Sequence, residues 1–596
     1  MKATATTTTT ASTASNSAAF VINLWLLAAA VTWVAAAEPR EARAGWTRGP
    51  ESPTQAREGT RGDSASGSAP GGVSLVQALS ATKADEGARG AGRPPASRRV
   101  PPNLRLQVSP DHRHLVDGNG QPFFFLGDTA WDLFLRLDRK ETDEYLEKRA
   151  AQGFNVIVTI LIGWKPGVDE RNAYHEAPLI DKDPARPNEK YFAHVDYVVR
   201  KANSLGLFVA IAPAWSDWMY KYVGSGPHPF TPQNARTFGR FVGRRYRNDA
   251  VIWMIGGDRD PTGYEDILRA MATGLDEGDG DADFLTTFHG EKMGKLMPPD
   301  NVYYERLCSS HLVGNEPWLD FHGAYSGHQW AYPTYRLVEQ DRAMKPTRPV
   351  IDLEPCYENH PYHRDGAPYF ESPEKWDQTT RGTAAMIRAQ AWWALLAGAA
   401  GHTYGAHEVW GFYDKQLPFA ALYAKYHLVT PWRQALDYPG GAQMGIMRRL
   451  FESRRWQTLE PDQGVIVAGQ QPGERHLQAA RAADGKFLFV YLPRGDKVTV
   501  DMTKINGQEA AAWWFNPRDG RADRIGRLPC RDTHDFSPPS QGVDNDWVLV
   551  LDDAAQDVRP PGRVGQRARG DRGAPPAGKT PAPQHAAHGN RDRDSK

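Results

Sequence analysis

Two carboxylates stand out because each closes a short apolar run. Asp258 follows Trp253-Met254-Ile255-Gly256-Gly257, and Glu354 follows Val350-Ile351-Asp352-Leu353. Cleaving a glycosidic bond requires two such groups on opposite sides of the anomeric carbon. One is protonated, to help the leaving oxygen depart; the other is ionised, to attack or to activate water. The paired glycines would let the chain turn tightly and expose Asp258, while Trp253 and Met254 are apolar neighbours of the kind that favour a protonated acid. Pro355 cannot continue a strand ladder, so Glu354 should end its strand pointing inward.

Other polar and aromatic groups follow apolar runs in the same way. Asp128 and Trp131 lie in Gly-Asp-Thr-Ala-Trp, Trp164 follows Gly163, and Trp215 follows Pro213-Ala214. His289 ends a fifth run, Ser326-Gly327-His328 trails a sixth, Tyr357 and Glu358 come shortly after Glu354, and His407 and Trp410 follow Tyr404. Imidazoles and indoles can hydrogen-bond and stack on sugar rings. Asp128, Trp131, Trp164, Trp215, His289, His328, Tyr357, His407 and Trp410 are therefore the candidate substrate contacts, with Asp258 and Glu354 as the candidate catalytic pair and no metal or cofactor implied. Taken singly, each has a plainer reading: Asp258 as a helix cap, Glu354 in a salt bridge, Asp128 capping a loop, the tryptophans as core. The case rests on their convergence.

Convergence requires strands whose C-terminal ends share one mouth, and the pattern supplies them. Eight apolar or β-branched runs alternate with helical stretches: 122–127, 155–162, 207–212, 251–255, 284–288, 319–321, 349–353 and 402–404. Asp138 with Glu141 reads as a capping box and Gly153 as a left-handed helix stop. Thr231 reads as a cap, Pro232 as the first helical residue, and Phe238, Phe241 and Val242 as a buried stripe. The expected fold class is α/β, a (β/α)8 barrel over 103–438, in which functional groups collect at the strand ends. No GxGxxG turn follows the first run, against a dinucleotide fold. After about Tyr438 alternating strands take over at 464–468, 487–492, 497–502, 510–515 and 547–551, predicting a small antiparallel β-sandwich over 439–552.

Residues 1–37 read as a secretory signal whose apolar run, Phe20 to Ala37, is also long enough for an uncleaved anchor. Residues 38–102 and 553–596, rich in Gly, Ser, Ala, Arg and Pro, read as disordered linker and tail. The protein is thus expected to be exported, to the surface, the periplasm or the medium. The 596 residues carry zero formal net charge, which provides no field to gather nucleic acid or an anionic membrane. Three cysteines without metal-ligand spacing suggest neither a zinc site nor a disulfide framework. The 19 tryptophans and 22 tyrosines suit a carbohydrate partner.

The segments FFLGDTAW (124–131), YLEKRAAQGFN (145–155), WMIGGD (253–258), PVIDLEPCYE (349–358), AAAWWFNPRDG (510–520) and DWVLVLD (546–552), with the Ser326-Gly327-His328 triplet and the YG and VW elements of 401–410, resemble the apiosidase-like glycoside hydrolases. That family joins a barrel to a small β-domain carrying a collagen-binding name. The resemblance spans about Leu104 to Asp552 and implies acid/base catalysis by Asp258, nucleophilic attack by Glu354 with Glu358 as competitor, and retaining action on a terminal, branched pentose such as apiose in plant pectin. Related retaining barrels place Asn-Glu where this chain has Gly257-Asp258, so a contact to the sugar 2-hydroxyl would have to come from elsewhere, such as His289 or His328. Two rival functions stay open at this stage. One is a metal-dependent barrel hydrolase using His289 and His322; the other is a non-catalytic matrix- or carbohydrate-binding protein.

Overall fold

The computed structural model describes residues 104–163, 169–219, 228–290, 309–327, 333–361, 380–416, 426–556 and 558–563. The proposed signal or anchor segment, residues 20–37, lies outside them. Among the described residues no helix is long and apolar enough to cross a membrane.

Eight parallel strands form the barrel: β1 (Phe125–Thr129), β2 (Val156–Ile160), β3 (Phe208–Ala212), β4 (Val251–Gly256), β5 (Thr286–His289), β6 (His322–Ala324), β7 (Val350–Asp352) and β8 (Gly401–Tyr404). Their order is β5-β4-β3-β2-β1-β8-β7-β6, so the first and last strands pair and the seam falls between β5 and β6. Side chains and single backbone bonds bridge that seam. Asp320 N–H donates to Thr286 O at 2.9 Å, the Asp320 carboxylate accepts Thr286 N–H at 2.7 Å, and Thr287 Oγ1 donates to Phe321 O at 2.8 Å. All eight barrel strands are buried throughout, and most therefore read as apolar runs. The exception is β6, expected at 319–321 but formed by His322-Gly323-Ala324. Leu319 and Phe321 are core residues of the approach to the strand, whereas the residues that pair with β7 are His322, Gly323 and Ala324.

The capping chemistry folds as read. In α1 (Arg139–Gln152) Asp138 and Glu141 form the reciprocal box and Gly153 takes φ 98°. α2 (Glu189–Ser204) follows β2. In α3 (Pro232–Tyr246) Thr231 caps and Pro232 leads; Phe238 and Val242 are buried and Phe241 half-buried. Near the end of α4 (Glu265–Asp279), the buried Asp279 carboxyl is pushed up to about 7, first by burial and then by the charges of Asp276 and Asp283, against one hydrogen bond from Phe284 N–H. A carboxyl whose folded pKa exceeds the unfolded ~4 contributes stability at low pH, and that contribution is lost as pH rises through about 7. Asp279→Asn, which keeps the acceptor for Phe284, should therefore unfold at a higher temperature than wild type at pH 8 and at nearly the same temperature at pH 4. Paired thermal melts check this.

After α5 (Thr334–Ala343) and α6 (Ala384–Leu396), the switch to β structure expected at Tyr438 comes later. Residues Pro439–Glu452 form helix α7. Its Gly440-Gly441 start resembles a turn in sequence, but a Cβ at Gly440 would sit 2.3 Å from Glu358 Oε2, so glycine here serves close packing. Strands begin at β9 (Leu459–Pro461). β10 (Ile466–Ala468), β11 (Gln478–Ala482), β12 (Phe487–Leu492), β13 (Val498–Asp501), β14 (Glu509–Phe515), β15 (Ala522–Pro529), β16 (Thr533–Phe536) and β17 (Trp547–Asp553) follow. They make an antiparallel six-stranded sheet, β9-β11-β12-β17-β14-β15, and a three-stranded one, β10-β13-β16.

Period-two alternation gives the larger sheet two apolar faces. Leu488, Val490 and Leu492 join Val498, Val500 and Phe536 in the core between the sheets. Phe487, Phe489 and Tyr491 belong instead to the barrel's core, where Tyr491 stacks on Trp392 at 5.6 Å and Phe489 meets Phe451 at 5.7 Å. The β-domain therefore packs on α6 and α7. Polar ties fix it there: Arg388 grips Asp546 through two bonds of 2.9 and 2.7 Å, and Arg454 grips Asp552 at 2.7 and 2.8 Å, all four side chains being buried. Arg454→Met would strand the Asp552 carboxylate in the interior at a cost of about 3–5 kcal/mol, read by denaturant titration. A double replacement with Asp552→Leu should recover most of that loss.

Candidate active site

The strand ends of β1, β3, β4, β5, β6 and β7 deliver one cluster. After β4 the chain turns through Gly256 (φ 93°), Gly257 (φ 151°) and Asp258 (φ 50°). A Cβ on Gly257 would lie 2.2 Å from the Trp215 ring, so only glycine admits both the turn and the indole beside it. Asp258 itself occupies the left-handed region, which costs strain that the surroundings must hold. Arg259 does part of this, donating to Asp258 O and to Asp217 Oδ1, each at 2.9 Å.

His289, the last residue of β5, lies between the two carboxylates. Asp258 N–H donates to its Nδ1 at 3.4 Å, and its Nε2 lies 3.1 Å from Glu354 Oε2. The other Glu354 oxygen accepts the Tyr357 hydroxyl at 2.7 Å, and that hydroxyl accepts Trp131 Nε1–H at 3.1 Å. The Glu354 carbonyl is held by Gly327 N–H at 3.0 Å. The Glu354 side chain is fully buried, whereas that of Asp258 is 23% exposed, so the pair offers one enclosed carboxylate and one open to the mouth. Oxygens of the two carboxylates lie within 4.8 Å of each other. Trp131, Trp215 and Tyr325 wall the imidazole at ring separations of 5.3, 4.8 and 4.6 Å. Burial, then Glu354 and Asp258, hold the Tyr325 phenol well above its usual range, and it donates to Phe288 O at 2.8 Å.

Of the residues singled out in the sequence, the fold thus gathers Asp258, Glu354, His289, Tyr357, Trp131 and Trp215. Asp128 is not at the mouth: it is fully buried, bonded to Arg149 at 2.8 Å and to the Tyr145 hydroxyl of α1, and so serves as an internal ion pair behind β1. Glu358 also faces elsewhere, accepting the Tyr404 hydroxyl at 2.6 Å and Gly440 N–H at 3.3 Å. His407 and Trp410 form a second cluster with His360 and Tyr426. His407 Nε2 donates to Tyr426 O at 2.7 Å, and burial pushes its pKa down to about 3, leaving it neutral. Trp164 and His328 lie outside the described residues. Tyr325, Arg259 and Asp217 were not picked out from the sequence. Tyr325 follows β6 directly, and misplacing that strand by three residues hid it; nothing marks Arg259 and Asp217, because their partnership forms only in three dimensions.

Asp258, His289 and Glu354 are also the set whose ligand atoms lie close enough to surround a cation, among the described residues. His322, the other histidine of the metal reading, sits by Ser309 Oγ, 3.4 Å from its Nδ1.

Comparison with known proteins places this geometry in a class. The family described as "Apiosidase-like, catalytic domain" matches residues 109–458, and "Putative collagen-binding domain of a collagenase" matches 460–552. A solved structure described as a glycoside hydrolase is 29% identical with a TM-score of 0.65, covering 76% of this chain and 98% of its own. A glycoside hydrolase family 5 structure from Bacteroides vulgatus is 28% identical with a TM-score of 0.65, covering 77% and 97%. A further structure from Bacteroides vulgatus, described as a putative glycoside hydrolase and 13% identical with a TM-score of 0.51 over 75% of this chain and 82% of its own, shares the fold. Comparison with curated proteins returns no match. The protein is a glycosidase built on a (β/α)8 barrel. It belongs to the apiosidase-like family, whose profile spans more than half of the chain.

Proposed function

We propose that the enzyme is a retaining, exo-acting glycoside hydrolase that removes a terminal pentose of the apiose type from plant cell-wall polysaccharide, with Glu354 as nucleophile and Asp258 as acid/base. The observation that carries the mechanism is the carboxylate spacing. Retaining enzymes hold their carboxyl groups ~5–5.5 Å apart, and inverting ones ~6.5–9.5 Å apart to admit water between them. One oxygen of each carboxylate lies within 4.8 Å of one of the other, which supports the first case. Burial divides the roles. The enclosed Glu354, held by the Tyr357 hydroxyl, attacks the anomeric carbon, while the partly open Asp258 protonates the departing oxygen and then deprotonates the incoming water. Trp131 and Trp215 offer aromatic edges beside the pair. The family description supports the pentose, and the N-terminal apolar run supports export to where such polymers occur.

The test is product analysis of the full-length mature protein on branched pectin fractions and a panel of other plant and microbial glycans. A single pentose released as monosaccharide from the outset supports the reading. Oligosaccharides as first products would overturn exo action, and a hexose would overturn the sugar.

A further inference from the structure

We propose that Arg259 and Asp217 are positioning residues for the acid/base, forming a bridge that clamps the backbone turn at Asp258 to the loop after β3. The inference rests on the role given to Asp258 above. The chain leaves β4 through three consecutive residues of positive φ, and Asp258, at φ 50°, is the one of them that is not glycine. Such a residue keeps that conformation only where its surroundings over-determine it. The Asp258 carbonyl accepts Arg259 Nη1–H at 2.9 Å, and Nη2 of the same guanidinium donates to Asp217 Oδ1, also at 2.9 Å. Because a guanidinium is planar and stiff, the two bonds together fix where the carbonyl points relative to Asp217. The far end of the bridge is firm. Asp217 lies in the short turn Ser216–Trp218, which is held by Trp218 Nε1–H on Gly163 O, by the Tyr264 hydroxyl on Ser216 Oγ at 2.9 Å and by the His228 ring, whose Nδ1 lies 3.1 Å from Asp217 O.

A backbone turn fixed on both sides fixes its side chain. Before Asp258, Gly257 packs against the Trp215 ring so closely that no Cβ would fit; after it, the carbonyl is held by Arg259. Both supports come from the loop that follows β3, so that loop sets the direction of the carboxyl. An acid acts only on an oxygen within hydrogen-bond reach, and a turn released from Arg259 would carry the carboxyl away from the leaving group. Glu354 is held separately, on β7, by the Tyr357 hydroxyl. Loss of the bridge therefore removes proton transfer and leaves nucleophilic attack in place. The Arg259 side chain is itself 35% exposed, so a direct contact with the substrate is the competing role that the test must separate.

The test uses the full-length protein and two aryl glycosides of the sugar that the wild type releases, one with 2,4-dinitrophenolate and one with phenolate as leaving group. The first departs without a proton, and the second needs one. Arg259→Ala should lose ~10²-fold in kcat/KM on the phenyl glycoside, as a slightly displaced catalytic group does, and stay within about threefold of wild type on the dinitrophenyl glycoside. On the latter, kcat and KM should fall together, because water attack on the glycosyl-enzyme still requires Asp258 as base and the intermediate builds up. Asp217→Ala should show the same preference, and the double variant should be no worse than Arg259→Ala, since each removes the same bridge. Arg259→Lys keeps a cation but lacks the fork, so it should lose less on the phenyl glycoside with the preference intact. Equal losses on the two glycosides in both Arg259 variants, a rise in KM with kcat preserved, or losses that add in the double variant would overturn the positioning role. Asp258→Ala run alongside separates the failures. Equal losses on the two glycosides there would sink the acid/base assignment; a leaving-group preference in Asp258→Ala that Arg259→Ala lacks would sink only this proposal.

Discussion

Glu354→Ala should abolish glycoside cleavage, by ~10⁴-fold or more in kcat, while Asp258→Ala should lose ~10²–10⁴-fold in a manner that depends on the leaving group. The difference follows from the roles proposed for the two carboxylates. Without Glu354 no covalent intermediate can form on any substrate, so natural glycans and activated aryl glycosides suffer alike. Without Asp258 the first step lacks only a proton donor, and a nitrophenolate departs without one, so aryl glycosides keep much of their first-step rate. Added azide should then accelerate both variants, with opposite stereochemistry. In Asp258→Ala it attacks the glycosyl-enzyme and yields a glycosyl azide of retained configuration. In Glu354→Ala it occupies the vacated space, attacks the substrate directly and yields the inverted one. Chromatography and proton NMR of the azide products check both. The same configuration from the two variants would contradict the division of roles.

The second large effect concerns the β-domain. A chain ended at Ser453 should accumulate as insoluble protein, although the barrel strands are all present. The reason is the two-faced sheet. Phe487, Phe489, Tyr491, Phe515, Val548 and Val550 are members of the barrel's own core, covering Trp392 and Phe451. Removing them uncovers a continuous apolar face on α6 and α7, at a loss of ~25 cal/mol for every Å² returned to water, and leaves the buried Arg388 without Asp546. Expression of the truncated and full chains side by side, with soluble yield and circular dichroism, decides it. A soluble, cooperatively folding barrel would show the β-domain to be a separable module, as its collagen-binding name suggests.

Much of this was legible in the sequence where local chemistry determines local structure. The Asp138–Glu141 box, the Thr231-Pro232 start and the apolar runs of β2, β3 and β4 read correctly because caps and buried parallel strands leave short-range signatures. The pairing of Asp258 with Glu354 was also within reach, since the barrel brings the ends of β4 and β7 to one mouth whatever the loops do. Asp128 was misread because a carboxylate at a strand end looks the same whether it faces the mouth or a helix. Only Arg149 and Tyr145, about twenty residues on, show that it faces α1. β6 was displaced because Leu319 and Phe321 carry the apolar signal while His322-Gly323-Ala324 carries the hydrogen bonds. α7 was missed because Gly440-Gly441 packs against Glu358, a contact some eighty residues apart in sequence.

The most direct measurement of the central claim is covalent trapping. Incubating the wild-type protein with an activated 2-deoxy-2-fluoro glycoside of the sugar it releases should slow both steps and let the glycosyl-enzyme accumulate. The account predicts a mass gain of one fluoroglycosyl unit per chain, mapped by peptide sequencing to Glu354. A label on Glu358 or any other residue, or turnover of the fluorinated sugar to the inverted anomer without any label, would contradict it.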